Sequence, residues 1–243
     1  GFALVGTNGS TFYQSNLSQN EWGFVTYHSH NNTFLDLTVW RNTAGGSYIS
    51  YSEWNQVLGG TFTPDTAYAD YAVYFVAFAR YNTVSINETN FYAGVYIESN
   101  AHYNRVDGGT YRTNYYGVLS YAYAGTRVEN AYFADNYYYH VQMQGAGAGT
   151  SFDRIANNSM DRATNYQAIY LYNINGGLVA DNRINGSNGD GVTLYYASYT
   201  TVARNVFTNG TGYALYGYLA ASILVVDNTI TRSRNGVYFQ ESR

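Results

Sequence analysis

Several residue types are missing or scarce in this chain of 243 residues. It has no cysteine, which excludes disulfide bonds, thiolate metal ligands and a cysteine nucleophile. It has no lysine either, so its 12 cationic side chains are all arginine, and a lysine general base is excluded. Proline occurs once, and charged residues make up 12% of the chain, about half the usual share.

Other absences bear on location and partners. No apolar run approaches the ~18 residues of a membrane span, and no signal peptide is visible, so a mature or trimmed chain is expected. The net charge of −4, without a basic patch, gives no reason to expect a nucleic-acid partner. Possible glycosylation triplets begin at Asn8, Asn16, Asn31, Asn87, Asn157, Asn185 and Asn209. With the absence of cysteine and lysine, they favour an extracellular or cell-surface protein.

The chain repeats a short phrase, apolar–x–x–Asn–x–apolar. VADNRI, VARNVF and VVDNTI begin at Val179, Val202 and Val225, each 23 residues after the last. Related phrases begin upstream at Val84, Val106, Val128 and Ile155. Their fourth positions are Asn87, Gly109, Ala131, Asn158, Asn182, Asn205 and Asn228. Because Asn and Gly tolerate a left-handed backbone, this column predicts a recurrent bend, and its asparagines predict a hydrogen-bonded ladder.

A second series of phrases runs in step with the first. Each phrase alternates apolar residues with others, which is the pattern of a short strand. The phrases are AVYF, GVYI, GVLS, HVQM, AIYL, GVTL, ALYG and GVYF, which begin at Ala72, Gly94, Gly117, His140, Ala168, Gly191, Ala214 and Gly236. Strands recurring at this interval can wind as a coil, each lying parallel on its counterpart ~4.8 Å above.

These features resemble the right-handed parallel β-helix proteins of the pectate-lyase-like superfamily. The resemblance predicts an all-β, single-stranded right-handed parallel β-helix of about 9–10 coils with ~23 residues per coil. Residues 1–243 are expected to form one domain, with 1–23 as an N-terminal arm or cap strand and 24–243 as coils. Phe12 to Glu53 fits the repeat poorly. Two longer coils, at Gly59 to Tyr71 and Gly145 to Thr150, are expected to project loops.

The 30 tyrosines are unusually numerous, and the alternation places many of them outside. If Val95 and its counterparts point inward, the residues one and three positions later point outward. The predicted aromatic columns contain Tyr74, Tyr96, Tyr121, Tyr170, Tyr172, Tyr195, Tyr216, Tyr218 and Tyr238. A face so rich in rings and poor in charge favours either sugar stacking or contact with another copy of the chain.

The catalytic motifs that the resemblance implies are absent. Pectate-lyase-like enzymes use acidic clusters with an Arg or Lys base, Asp residues with Gly-His-Gly, or Asp-Pro-His, and none of these occurs. His140 is a weak candidate base, expected to face outward near Tyr96 and Tyr121. Asp181, Arg204 and Asp227 are expected to form an ion ladder. No cofactor or metal is expected, since His28 and His30 alone do not make a metal site.

The sequence therefore favours a non-enzymatic extracellular structural protein. We expect it to assemble with copies of itself into a filament, sheath or adhesive fibre, through the tyrosine columns or uncapped coil ends. The alternative is a secreted polysaccharide lyase or glycan-binding β-helix that uses the same face. A further alternative is a segment similar to a phage tailspike.

Overall fold

A computed structural model describes residues 1–67, 69–145 and 152–243. Within them all regular structure is β, in short parallel strands that wind as a solenoid of about ten coils with ~23 residues per coil. The predicted fold class is therefore confirmed. Of the two predicted loops, Tyr68 in the first and residues 146–150 in the second lie outside the described residues.

The strands fall into three columns along the solenoid axis. The first column is sheet 1, whose eleven strands pair in parallel. These strands are β1 (Phe2–Val5), β4 (Trp22–Tyr27), β7 (Gly45–Ser50), β9 (Ala69–Val76), β11 (Phe91–Ile97), β14 (Tyr116–Ser120), β17 (Tyr139–Gln144), β20 (Ile169–Tyr172), β23 (Val192–Tyr195), β26 (Tyr213–Tyr218) and β29 (Asn235–Gln240).

The other two columns lie on the remaining sides of each coil. The second column contains β2 (Thr11–Tyr13), β5 (Thr33–Leu35), β12 (Arg105–Asp107), β15 (Arg127–Glu129), β18 (Arg154–Ala156), β21 (Leu178–Ala180), β24 (Thr201–Ala203) and β27 (Leu224–Val226). The third contains β3 (Asn16–Ser18), β6 (Thr38–Trp40), β13 (Thr110–Arg112), β16 (Tyr132–Ala134), β19 (Ser159–Asp161), β22 (Arg183–Asn185), β25 (Val206–Thr208) and β28 (Thr229–Thr231). Two longer strands, β8 (Gln56–Thr63) and β10 (Thr83–Thr89), run through both.

The core is a set of vertical files of apolar side chains. On sheet 1, one file stacks in register from rung to rung and is almost fully buried: Val73, Val95, Val118, Val141, Ile169, Val192 and Leu215. Such burial contributes ~1.5–3 kcal/mol for each aliphatic side chain. Alternation along the strand therefore sends the neighbouring side chains to the outer surface, as predicted.

Residues 1–23 form the first coil rather than an arm or cap strand. Strand β1 pairs with β4, β2 with β5, and β3 with β6. The interior of this region is aromatic: Phe2 stacks on Phe12 at 4.8 Å, and Phe24 on Phe34 at 4.2 Å between ring centroids. The phrase pattern missed these coils because large rings here occupy the places of valine and isoleucine.

Four of the predicted ladder asparagines form a continuous ladder at the corner between the second and third columns: Asn158, Asn182, Asn205 and Asn228. The backbone N–H and Nδ2 of Asn182 both donate to Oδ1 of Asn205, at 3.0 and 2.9 Å. Nδ2 of Asn182 also donates to the carbonyl of Ile155 at 2.9 Å. Each inner asparagine of the ladder thus accepts hydrogen bonds from the asparagine one rung earlier and donates hydrogen bonds to the asparagine one rung later.

Asn87 is not part of this ladder, so its assignment was wrong. It lies exposed in the long strand β10, which runs straight through the corner where later coils bend. The left-handed bend lies at the predicted fourth position at Gly109, where φ is 86°, but one residue earlier in the last coils. There it falls on the third position of the phrase, at Asp181, Arg204 and Asp227, where φ is 58°, 53° and 53°. The ladder asparagine follows this bend and points inward.

Two further corners carry asparagine ladders that the sequence reasoning missed. At the corner before the second column, each of four asparagines bonds to the next: Asn32, Asn55, Asn82 and Asn104. At the corner before sheet 1, Asn20 bonds to Asn42, and Asn114 to Asn136. The first set recurs at steps of 23, 27 and 22 residues, so the spacing alone could have revealed it.

Candidate functional site: the tyrosine face

The outward side of sheet 1, here called the tyrosine face, carries the predicted aromatic columns. The first column is in register along nine strands, and Tyr48 extends it upstream of the predicted start. Its members are Tyr48, Tyr74, Tyr96, Leu119, Gln142, Tyr170, Thr193, Tyr216 and Tyr238. Leu119 and Thr193 are buried although they belong to this column.

The second column is in register over its later rungs, where Gln144, Tyr172, Tyr195, Tyr218 and Gln240 follow one another. Glu98 and Tyr121 come directly after the ends of β11 and β14 and border the same face. Val76, expected to be outward, is buried.

A third aromatic column was missed. Its members lie two positions before the inward apolar residues of the file: Trp22, Tyr71, Tyr116, Tyr139 and Tyr213. Tyr71 stacks on Tyr96 at 4.6 Å, and Tyr139 stacks on Tyr170 at 5.2 Å between centroids. Strict alternation would have placed these rings inside. They point outward because the residue between, Ala72 or Ala214 for example, is buried together with the inward residue that follows it.

With this third column, ring contacts run without a break along most of the face. One continuous path is Trp22, Tyr48, Tyr74, Tyr71, Tyr92, Tyr116, Tyr139, Tyr170, Tyr172, Tyr195 and Tyr218. Where neighbours are nearly coplanar, as for Tyr172 and Tyr195 at 17°, each covers the face of the next. The surface there presents ring edges and hydroxyls more than ring faces.

Four phenols of the face are neutral hydrogen-bonding groups. Desolvation raises the pKa of Tyr96 and of Tyr170 to about 12, and it also raises the pKa of Tyr74 and Tyr116. These hydroxyls therefore remain protonated at neutral pH and can both donate and accept hydrogen bonds. None of these four has the lowered pKa that a tyrosine base would need.

A concave site of about 400 Å³ interrupts the face beside Glu98. It is lined by Tyr96, Glu98, Ser99, Tyr121, Tyr123, Gln144 and Gly145. The Glu98 carboxylate is held in place, since the Tyr74 hydroxyl donates to Oε1 at 3.5 Å and the Ala77 N–H to Oε2 at 3.2 Å. Rings, a fixed carboxylate and an amide thus surround a space large enough for a small ligand.

His140 does not face this surface, contrary to expectation. Its side chain is fully buried, its Nδ1 lies 2.9 Å from Nδ2 of Asn136, and its ring lies 6.0 Å from that of Phe133. The alternation breaks here, because the N–H groups of His140 and Val141 both donate to the carbonyl of Ala168 and both side chains point inward. Burial lowers the His140 pKa to about 3, so it is a neutral core residue.

The glycosylation triplets lie on the outside of the solenoid. Six of their asparagines are exposed and Asn185 is half-buried. Several form short outer ladders: Asn31 donates to Asn8 at 3.0 Å, and Asn209 donates to Asn185 at 2.8 Å. These hydrogen bonds give the triplet asparagines a structural role that does not depend on an attached sugar.

Two family models match the chain. The model described as Right handed beta helix region matches residues 93–243, and the model described as Periplasmic copper-binding protein (NosD) matches residues 1–153. The chain belongs to the right-handed β-helix family. Together the two matches cover both halves of the solenoid. No curated protein sequence matches the chain.

Solved structures with the same fold include enzymes and an adhesin. The periplasmic alginate epimerase AlgG is 15% identical with a TM-score of 0.58, over 88% of this chain and 57% of that one. The catalytic domain of a GH87 alpha-1,3-glucanase is 13% identical with a TM-score of 0.61, over 97% and 49%. PfbA, a surface adhesin of Streptococcus pneumoniae, is 14% identical with a TM-score of 0.53, over 89% and 64%. This chain therefore spans less than two thirds of each of these chains, and the likeness concerns the fold.

The copper named in one family description does not fit the residues present. Copper sites use His, Met or Cys ligands brought together. Both methionines, Met143 and Met160, are buried in the core, and His140 is buried beside Asn136. The described residues contain no group of three or more His, Cys, Asp or Glu side chains that could hold a metal. They also contain no helix suited to crossing a membrane.

Proposed function

We propose that this protein is a secreted or cell-surface β-helix that binds an extended, largely uncharged glycan along the tyrosine face. The observation that carries the proposal is the concave site at Glu98. There two tyrosine rings, Tyr96 and Tyr121, stand beside a fixed carboxylate and the Gln144 amide. Rings contact the apolar side of a sugar, and the carboxylate and amide accept and donate hydrogen bonds to its hydroxyls.

The names of the similar proteins support the same class of ligand and location. The similar structures are described as a periplasmic alginate epimerase, an alpha-1,3-glucanase and a surface adhesin, and one family model as periplasmic. A glycan-binding protein outside the cytoplasm agrees with all four descriptions. The exposed Asn triplets agree with it as well.

Binding without cleavage is favoured by the acids of the site. Glycoside hydrolysis in most enzyme families uses two carboxyl groups on opposite sides of the bond. The described lining of the concave site includes one, Glu98. His140, the candidate base for an elimination reaction, is buried in the core.

Self-association through the same face is the second candidate, and it was the function favoured by the sequence. The observation in its favour is the composition of the face, where Glu98 is the charged member of the first two columns. Interface cores are depleted in charge and enriched in tyrosine. A flat ladder of ring edges from Tyr172 to Tyr218 suits a second copy of the chain better than it suits a single sugar.

The test compares variants of the face with a matched control. Binding of neutral glucose hexasaccharides of several linkages is measured by calorimetry for the wild type, Tyr96→Ala, Glu98→Gln and Tyr199→Ala. Tyr199 is an exposed ring at a corner outside the tyrosine face. We expect binding to weaken at least tenfold in Tyr96→Ala and Glu98→Gln and to remain in Tyr199→Ala.

Sedimentation of the same proteins distinguishes the two candidates. Glycan binding by a monomeric wild type supports the proposal. Concentration-dependent association that is lost in Tyr172→Ser/Tyr195→Ser/Tyr218→Ser, without glycan binding, would replace it by self-association. A monomer that binds none of the hexasaccharides would refute both.

A further inference from the structure

A second groove runs along the corner between sheet 1 and the second strand column, away from the tyrosine face. It encloses about 440 Å³ and is lined by Trp54, Tyr81, Asn82, Thr83, Tyr103, Arg105, Gly125, Arg127 and Phe152. One wall is formed by residues that stand two positions before the second-column strands. The other wall is formed by the first outward residues of those strands. The two walls carry different chemistry, and they meet on one rung.

The first wall is a stack of aromatic rings with one ring missing. Trp54 and Tyr81 stack at 4.5 Å and 7°, and Tyr81 and Tyr103 at 5.2 Å and 6°. The next residue of this column is Gly125, and the one after it is Phe152, which is 64% exposed. The Tyr103 ring lies against Gly125, where a Cβ atom would overlap it. The face of Tyr103 towards Phe152 is therefore not covered by a ring of the next rung.

The second wall includes Arg105 and Arg127, which belong to a longer file of arginines. Arg105, Arg127 and Arg154 are partners in register on three successive strands. Glu129, nearly buried, bonds to Nη2 of Arg105 at 3.0 Å and also to Nε of Arg154. The Glu129 carboxylate thus pairs with an arginine on the rung before its own and with another on the rung after it.

Arg127, on the same rung as Glu129, is left without an ion pair among the described residues, although it is exposed. It stands two residues after Gly125, so the rung that lacks a ring is the rung that carries the unpaired guanidinium.

From this coincidence we infer that the groove binds an anionic sugar, a pyranose that carries a carboxylate or a sulfate. Tyr103 and Phe152 stand two rungs apart, and the intervening rung carries Gly125, so no side chain of that rung lies between the two rings. The pyranose stacks on the uncovered side of Tyr103, and its anionic group accepts the paired N–H bonds of Arg127. A guanidinium matches such oxyanions in a bidentate geometry.

This site is independent of the proposed function, since it shares no lining residue with the concave site at Glu98. The two surfaces also differ in charge: among the described residues the first two columns of the tyrosine face carry one carboxylate, Glu98, and the corner carries three arginines against two acids, Asp107 and Glu129. One glycan carrying both neutral and acidic units, or two different glycans, could occupy them together.

The experiment measures binding of three probes by calorimetry: a hexuronic-acid oligosaccharide, a sulfated oligosaccharide and a neutral glucose oligosaccharide. The proteins are the wild type, Arg127→Gln, Tyr103→Ala and two controls. Arg183→Gln removes an exposed arginine of the third column, whose side chain is 60% exposed. Tyr199→Ala removes a ring from the same corner column, two residues before Thr201 and away from the arginine file.

We expect at least one acidic probe to bind and to weaken at least tenfold in Arg127→Gln and in Tyr103→Ala. Both controls should bind as the wild type does, and affinity should fall as salt is raised. Equal binding of neutral and acidic probes, loss in the controls alone, or no binding of either acidic probe would overturn the inference. Because Tyr96→Ala leaves this groove intact, failure of the tyrosine-face proposal would leave the acidic-probe result unchanged.

Discussion

The interiors of the last coils and of the middle coils are held by polar groups of different kinds. In the last coils the amides of Asn158, Asn182 and Asn205 repeat on successive rungs and bond to one another. The middle coils have the shorter Asn114–Asn136 ladder and also bury single ionisable groups beside it. Glu88 accepts a bond from Asn114 at 2.7 Å through Oε1, and Nδ1 of His140 lies 2.9 Å from Nδ2 of Asn136.

The difference shows which polar groups can bond to one another when the same residue type repeats on successive rungs. An amide has donors and an acceptor, so a column of identical amides completes itself when each copy is moved by one rung. A carboxyl or an imidazole has no copy on the neighbouring rung and relies on whichever side chain happens to lie beside it. The regular ladder is therefore insensitive to pH over the usual range, whereas the middle coils titrate.

At neutral pH, breaking the regular ladder should have the largest effect. Asn182→Ala removes the acceptor of two bonds from Asn158 and leaves the Ile155 carbonyl without its side-chain donor. At 1–3 kcal/mol for each buried unsatisfied group, the free energy of unfolding should fall by about 3 kcal/mol in urea denaturation. The matched control is Asn87→Ala, which removes an exposed asparagine of strand β10. Equal losses for the two variants would contradict a stabilising ladder.

Acid should destabilise the middle coils through His140. Desolvation lowers its folded pKa to about 3, although Asp135 and Asp161 act in the opposite direction. The stability tied to neutral His140 is present above the unfolded pKa of about 6.5 and is lost as pH falls towards 3. The loss should approach about 1.4 kcal/mol per pH unit in this window. His140→Gln should flatten that slope in unfolding measured between pH 7 and 4; an unchanged slope would assign it to other groups.

Raising the pH, rather than lowering it, should destabilise the same region through Glu88. Burial raises its folded pKa well above the ordinary 4.5, so its contribution is complete below pH 4.5 and is lost as pH rises towards the folded pKa. Glu88→Gln should be more stable than the wild type at neutral pH, by on the order of 1 kcal/mol. The reason is that an amide can be buried without first taking up a proton. At pH 4 the two proteins should converge, and a difference that persists there would indicate a packing effect instead.

The smallest effect is expected for the ion pair between Asp181 and Arg204 on the outer surface of the solenoid. Their side chains bond in a fork at 2.7 and 2.8 Å, but both are about half exposed. Surface pairs of this kind contribute little and are screened by salt. Arg204→Gln should leave the urea midpoint within error at 0.15 M salt. A clear drop would show that the outer ladders matter as much as the inner one.

Much of the fold was predictable because the solenoid repeats. The 23-residue interval sets the coil, and alternation sets which side chains point in, so the placement of Val95 inside and Tyr96 outside followed directly. The candidate site was predictable in part. The tyrosines of its first two columns were found from parity, whereas the third column depends on a break in the alternation and the concave site at Glu98 on where a strand ends.

The sequence by itself determined the period, the parallel columns and the aromatic character of one face, since each depends on residues compared at equal spacing. Tertiary structure alone decided that His140 turns inward and that Asn87 lies outside the ladder. It also decided that Glu129 bonds to the arginines on the rungs before and after it, while Arg127 has no ion pair within the described part of the chain. These outcomes depend on local bends and on contacts between coils of unequal length. A bend of one residue reverses the direction of a side chain, and no spacing rule contains that information.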